Sequence, residues 1–447
     1  MTTEIAILNR GAVALAADSA VSVATPAGLK VYDGVNKLFE LIKGRPVGVM
    51  IYNSAELSFR PWETIIKAYR EERSRVSLGT LDDYVTDFRT FIKTHPELFS
   101  ARQQDEAFAQ TVVADLISVR TNIVQGLQQA LAAGKRPTAR LVGIAVSRHV
   151  REYWNFARSS YDLSRWPETL PSVRTLGAHF RAQLDDRIDE VFQNLPLNDT
   201  LRANLRVGLL HRAFGRHDSD GQFSGVVLAG FGDDEYYPRL REFRTKAMYA
   251  DRLLCYDVED SSTDIGVQVP GEIKSFAQGD MIRSFTDGIQ DQVRGEMIEF
   301  WNQWRSQGIT AAVEADPRLA QLSPADQLLV AQSIRDLSSQ AVDQFLDHMA
   351  VYELASIKGP LLQSVSFLPK DELGAMAESL VNLTTLKRRV SINEAQTVGG
   401  AVDVAVVSRG DGFVWLKRKH YFAQELNPSW AGTHAAHPIR RQAPDEH

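Results

Sequence analysis

The chain begins Met1-Thr2-Thr3-Glu4-Ile5-Ala6-Ile7-Leu8-Asn9-Arg10-Gly11-Ala12-Val13-Ala14-Leu15-Ala16-Ala17-Asp18, and this stretch decides the fold. Two apolar runs with strand character flank Asn9-Arg10-Gly11, a short turn signal. Antiparallel pairing centred on Arg10 puts Asp18 beside Thr2. A two-residue loop would slip that register by one and leave Asp18 beside Met1 or Thr3. A carboxylate is therefore expected close to an N-terminal threonine.

Methionine followed by a small residue is a substrate for trimming, which would leave Thr2 as the first residue. A threonine hydroxyl with its own α-amine as base is one of the known activated nucleophiles. The α-amine has an ordinary pKa of about 7.7–8.0, so part of it is neutral near pH 7. No histidine is needed. The plainer alternative is that Thr2-Thr3 opens an edge strand and Asp18 ends the next one.

Further along, Asn36-Lys37-Leu38-Phe39-Glu40-Leu41 and the apolar run Val47-Gly48-Val49-Met50-Ile51-Tyr52 follow. Together with the opening stretch, these resemble a proteasome β-type subunit, a family of N-terminal-nucleophile (Ntn) hydrolases that includes bacterial proteasome homologues. The resemblance implies Thr2 as the nucleophile and Asp18 as the acidic residue ending the second strand. It implies Lys37 as the lysine beside the nucleophile, with Lys30 as a fallback because the spacing from Asp18 is longer than usual. It also implies an oxyanion hole built from a backbone amide after the Val47 strand. The usual Gly-x-x-Gly is missing there, so Met50 is taken for that role. Asn53 tolerates positive φ and could replace a glycine.

Composition limits the alternatives. The chain has 447 residues, 44% apolar and 24% charged, with a formal net charge of −6. Those proportions suit an ordinary soluble globular protein with a large core. The charge offers no basic footprint for nucleic acid. A single cysteine, Cys255, excludes an internal disulfide and a multi-cysteine zinc site; it is expected to pack in a buried strand. No apolar run reaches the length of a membrane span, and no secretory signal pattern opens the chain. A cytoplasmic location, no cofactor and no metal are the resulting expectations. His211 and His217 are read as surface or capping residues.

In chain order, a strand-rich opening gives way to helical patterning, with proline at the start of Pro61-Trp62-Glu63-Thr64. Strands return at Ser224–Gly232, Arg239–Phe243 and Met248–Tyr256, with Asp233-Asp234-Glu235 read as a turn. Gln278 or Asp280 could support the amine, and Asp280 also reads as a helix N-cap. Helices from Met281 to Leu386 end in Lys387-Arg388-Arg389, read as solvated. A closing hairpin turns at Gly410-Asp411-Gly412. Ahead of it, Ala395 and Val398 occupy places where the family carries an aspartate and a serine, and Glu394 and Thr397 lie one residue earlier.

The expected fold is α+β, a four-layer α/β/β/α sandwich of Ntn-hydrolase type with large helical insertions. Residues 1–426 read as one domain, with insertions at about 76–222 and about 307–345, and 427–447 as a flexible tail. The expected activity is threonine-type hydrolysis of a peptide or amide substrate within a homo-oligomer, without nucleic acid or membrane. An ATPase or unfoldase partner is left open. Two rivals stand beside it: a ring-forming scaffold with a decayed site, and an Ntn amidase for small non-peptide amides.

Overall fold

The computed structural model describes residues 3–25, 28–95, 97–217, 219, 221–319, 321–391, 399–420, 422–423 and 426–427. The opening hairpin pairs β1 (Thr3–Asn9) with β2 (Val13–Ala17). Then come β3 (Ala20–Thr25), β4 (Gly28–Asp33), β5 (Leu38–Glu40), β6 (Val47–Asn53), β7 (Glu56–Leu57) and β8 (Arg60–Pro61). The helices α1 (Trp62–Glu72), α2 (Leu81–Thr94), α3 (Ala101–Ala132), α4 (Ala139–Ser160), α5 (Val173–His179), α6 (Arg181–Phe192) and α7 (Asp199–Phe214) follow. Strands resume as β9 (Ser224–Gly230), β10 (Arg239–Tyr249), β11 (Arg252–Asp257), β12 (Thr263–Asp264) and β13 (Gly271–Ala277). The last third holds α8 (Asp280–Asp287), α9 (Asp291–Gln303), α10 (Ile309–Ala315), α11 (Pro324–Glu353), α12 (Gly359–Val365) and α13 (Lys370–Val390), then β14 (Asp403–Ser408) and β15 (Gly412–Lys417).

The fold is mixed α+β with antiparallel sheets. One five-stranded sheet runs β13-β1-β2-β14-β15, and a six-stranded sheet runs β11-β10-β9-β6-β5 with β12 on β10. Strand alternation explains how they pack. Ala6, Leu8, Val13 and Leu15 of the first sheet meet Met50, Val227 and Ala229 of the second in one core. The opposite face of the first sheet, with Ile5, Ile7, Ala14 and Ala16, packs on Leu373, Ala377, Leu380 and Val381 of α13. The opposite face of the second sheet, with Val49, Ile51 and Leu228, packs on Trp62, Ile65, Tyr84 and Phe88 of α1 and α2. Helices α3 to α7 have a core of their own, which reaches the sheet through Ala247, Tyr249 and Leu254, with Tyr256 packed against it.

The hairpin register differs from pairing centred on Arg10. Glu4 pairs with Ala17 and Leu8 with Val13, the one-residue slip of a two-residue loop. Asn9 is the cause. Its Oδ1 accepts from the amides of Gly11 (2.9 Å) and Ala12 (3.1 Å), and its amide donates to Ala12 O at 3.0 Å. Its Nδ2 donates to Val365 O and Leu368 O. Asn9 is thus held as the last ladder residue, and the turn shrinks to Arg10-Gly11. Two strand ends also move. The segments expected at Arg239–Phe243 and Met248–Tyr256 are β10, continuous from Arg239 to Tyr249, and β11 from Arg252. Ala250 and Asp251, both at positive φ, make the turn between them. Gln104 of α3 holds that turn through the Asp251 amide at 2.7 Å and Oδ1 at 2.8 Å.

Candidate active site

Asp18 lies just past the end of β2 and is wholly buried. Three donors converge on its carboxylate. The Thr3 amide reaches Oδ1 at 3.1 Å, the Lys37 ammonium reaches Oδ1 at 2.6 Å, and the Gly399 amide reaches Oδ2 at 3.0 Å. The Asp18 amide in turn donates to Thr3 O at 3.2 Å. The register slip therefore seats Asp18 opposite Thr3. Thr2 lies outside the described residues, as do Glu394, Ala395, Thr397 and Val398.

Lys37 is only 4% exposed. It extends the β5–β6 ladder, with its carbonyl accepting from Ile51 N at 2.9 Å, and this places its side chain at the start of β1. Glu4 is the residue that reading the sequence missed. It is wholly buried, and its Oε1 lies 3.7 Å from Lys37 Nζ. One ammonium thus sits beside two buried carboxylates, where unpaired charge is costly. The signal was present in the sequence. Glu4 shares parity with Ala6 and Leu8, so it is a charge at an inward-facing strand position.

Ser19 carries the chain away from the site and ties three segments together. Its amide donates to Gly399 O at 3.3 Å, and its Oγ to Ala401 O at 2.8 Å. Its carbonyl accepts from Gly34 and Val35, each at 3.1 Å. The glycine that follows the undescribed 392–398 segment therefore comes back to Asp18 itself.

A cavity of about 110 Å³ opens beside Lys37, walled by Val35, Asn36, Ile51, Tyr52, Asn53 and Ser54 among others. The direction of each amide along β6 can be worked out. Ile51 N bonds Lys37 O and Leu41 N bonds Val47 O on the β5 side, whereas Phe231 N bonds Pro46 O on the β9 side. Successive amides alternate between edges, so odd-numbered residues face β5 and even-numbered ones face β9. Met50, paired with Val227 in the register, spends its amide within the sheet. Asn53 is the next odd position beyond Ile51, past the end of β5, so its amide points off the same edge as Ile51's. Asn53 also sits at φ 69°, a left-handed conformation that asparagine tolerates. Its Nδ2 holds it there by donating to Gly221 O and Phe223 O, both at 2.7 Å. Asn53's amide therefore points off the β5 edge beside the cavity, whereas Met50's faces β9, and the expectation for Met50 is revised on that ground.

Tyr52 backs the cavity from between the sheets. Its hydroxyl donates to Glu242, which is 2% exposed. Arg244 Nε donates to both, at 3.0 Å to the Tyr52 hydroxyl and 2.9 Å to Glu242. Burial, then the Glu242 charge, pushes the Tyr52 phenol far above its ordinary pKa, so it stays a donor.

The other expected residues fall elsewhere. Lys30 is exposed, with its ammonium 4.9 Å from the Tyr32 ring centre, and leaves the lysine position to Lys37. Gln278 is buried one residue beyond Ala277, the partner of Thr3 in the register. Asp280 accepts from Lys387 at 2.8 Å and Arg388 at 3.3 Å. Burial opposes its charge, but these partners more than offset that and hold its carboxyl below the usual range. Gly279, not Asp280, is the cap of α8. Lys387 and Arg388 are thus ion-paired rather than merely solvated. Glu235 closes the acidic turn by accepting from Gly232 N and Leu81 N. His211 Nδ1 meets Tyr161 O at 3.0 Å. Among the described residues, no group of three His, Cys, Asp or Glu side chains is placed to hold a metal. None of their helices is long and apolar enough to cross a membrane.

No family model matches this chain. No curated protein matches it either. Among solved structures, an Anbu (Gly-1) mutant from Hyphomicrobium sp. strain MC1 is similar over 97% of this chain and 96% of that one. The identity is 10% and the TM-score 0.24, a level of likeness that carries no structural inference. The site therefore stands on its own geometry.

Proposed function

We propose that this chain is a proteasome-like, threonine-type Ntn hydrolase that cleaves a peptide or amide bond with Thr2, exposed by removal of Met1. The observation that carries the reading is the buried Lys37–Asp18 pair, 2.6 Å apart, with the Thr3 amide on the same carboxylate oxygen. That arrangement fixes the charge and direction of the chain at its first residues. Glu4 shares the face of β1 that carries Ala6 and Leu8, and Lys37 lies against it.

In this mechanism the free α-amine takes the Thr2 hydroxyl proton as Oγ bonds to the carbonyl carbon. The Asn53 amide stabilises the resulting oxyanion. Collapse breaks the C–N bond, and the proton passes from the α-ammonium to the departing nitrogen. Water, activated by the same amine, then hydrolyses the ester and restores Thr2. The two sheets with their flanking helices are read as a four-layer α/β/β/α sandwich spanning 1–426. Helices α3 to α7 and α9 to α12 are insertions into it, and the working form is a homo-oligomer. A cavity of about 110 Å³ suits a single small side chain or acyl group. This favours a second reading, an amidase for small non-peptide amides.

The test is the intact mass of untagged protein, followed by labelling with an electrophilic peptide. Loss of Met1 and one adduct mapping to Thr2, absent in Thr2→Ala, are expected. Retention of Met1, or an adduct that survives in Thr2→Ala, overturns the mechanism. Turnover of small amides with no cleavage of denatured protein selects the amidase.

A further inference from the structure

Two long helical segments reach into solvent with apolar faces that no other described residue covers. The first is the arm from α9 to α12. Helix α9 buries no residue, and α11, 30 residues long, buries only Ala331. The core between the arm's helices consists of Ile309, Val313 and Ala331 with a few partly buried neighbours. Helices owe most of their stability in proteins to packing of an apolar face. Yet Val293, Met297, Phe300, Trp301 and Trp304 stand 37–63% exposed, at the i, i+4, i+7, i+8, i+11 spacing of a single face. The second segment is the outer half of α3 with α4. There Ile117, Val124 and Leu131 repeat at intervals of seven and are 42–51% exposed, with Ile144 and Phe156 on α4 also exposed.

Charge says what each surface will accept. Residues 291–366 contain ten acidic and five basic side chains, nearly the whole negative charge of the chain. Residues 117–160 contain seven basic side chains and one acidic. Two arms brought face to face would repel, as would two tips. An arm against a tip joins apolar stripe to apolar stripe inside a rim of opposite charge, the pattern that fixes register and partner.

We propose that the α3–α4 tip of one copy docks on the α9–α12 arm of a second copy, giving head-to-tail assembly through two different surfaces. The contact is heterologous, so copies add in sequence until a ring closes or a helical stack grows. The proposal builds on the homo-oligomer reading and supplies its mode of contact.

The test uses the full chain, with mass read by native mass spectrometry and light scattering. Charge is cut at exposed positions that make no ion pair among the described residues: Arg140→Glu with Arg151→Glu takes the tip from a net +6 to +2, and Glu296→Lys with Asp343→Lys takes the arm from −5 to −1. Wild type is expected to form species larger than a dimer, weakened at least about tenfold between 0.1 and 0.5 M NaCl. Each pair of changes alone is expected to give smaller species, because it removes most of the net charge of one surface and leaves the other intact. The chain carrying both pairs, with +2 facing −1, is expected to assemble least of all. Wild type that stays monomeric overturns both the contact and the homo-oligomer reading. Large species that ignore both pairs of changes, or a chain carrying both pairs that assembles as well as wild type, overturn the contact alone. Circular dichroism of each variant separates lost docking from lost folding.

Discussion

Lys37→Met is the sharpest probe of the site, because its effect depends on two carboxylates and not on any substrate. Methionine keeps the length and most of the volume of the lysine stem, so the packing loss is small. The charge change is large. At 2.6 Å from Asp18 and 3.7 Å from Glu4, the ammonium attracts each carboxylate with a gross energy of at least about 4 kcal/mol at an effective dielectric of about 20. Desolvation consumes much of that. Removing one partner of a buried pair still costs about 3–5 kcal/mol, since the other charge is stranded. Glu4→Gln alone leaves the Lys37–Asp18 pair intact and should cost about 1 kcal/mol. In the double variant the glutamine removes one of the two carboxylate charges that lost the ammonium, so the loss should be about 2 kcal/mol smaller than the sum of the single losses. Urea unfolding at pH 7.5 with an unchanged m-value reads the cycle. Losses that add to within about 0.5 kcal/mol would mean that Glu4 and Lys37 do not interact, and the site as drawn would be wrong.

Asn53→Val should destabilise by about 1–2 kcal/mol more than Asn53→Gly in urea unfolding, because φ 69° strains a β-branched residue and not a glycine. Burial pushes the Cys255 thiol from its ordinary 9.0 up to about 11. Between those values the unfolded chain binds fewer protons than the folded one, so stability falls as pH rises. The thiol's share of that fall is about 2–3 kcal/mol, and Cys255→Ala should flatten the pH 9 to 11 profile by that amount. Burial, then the Arg158 charge, lowers the His211 pKa below its ordinary 6.5. The unfolded chain then takes up the proton first, so stability falls as pH drops below 6.5. His211→Asn should remove that part of the acid slope in urea melts between pH 7 and 5.

The strands around the site were readable because burial leaves a simple imprint. Runs such as Val47–Tyr52 are apolar throughout because both faces of β6 pack, one on α1 and the other on the first sheet. The division of the helices was less readable. Periodicity marks α2 and α3 alike as amphipathic, but only the contacts reveal that α2 packs on the sheet while α3 begins a separate core. A helix's apolar stripe states that it needs a partner without naming one. The same gap explains Lys387 and Arg388, which read as a solvated basic run until Asp280, more than a hundred positions earlier, comes to lie beside them.

The pairing of Asp18 with Lys37 followed the expected order and spacing, but the hairpin register differed by one residue. Thr2, Asp18 and Lys37 could be proposed from order and spacing, but whether Asp18 faces residue 2 or residue 3 depended on a side chain. Asn9 decides it by bonding to the loop's own amides and to the end of α12 at once, and no count of residues contains that information. The choice between Met50 and Asn53 turned on the same kind of fact. Missing glycines made the stretch after Val47 look impaired, whereas what the backbone needs there is a positive φ and an amide facing off the β5 edge. Asparagine supplies the first, with its side chain held by Gly221 and Phe223, and the odd position of residue 53 supplies the second. A family's glycine marks a conformation, and where a different residue can hold that conformation the chemistry does not require the glycine.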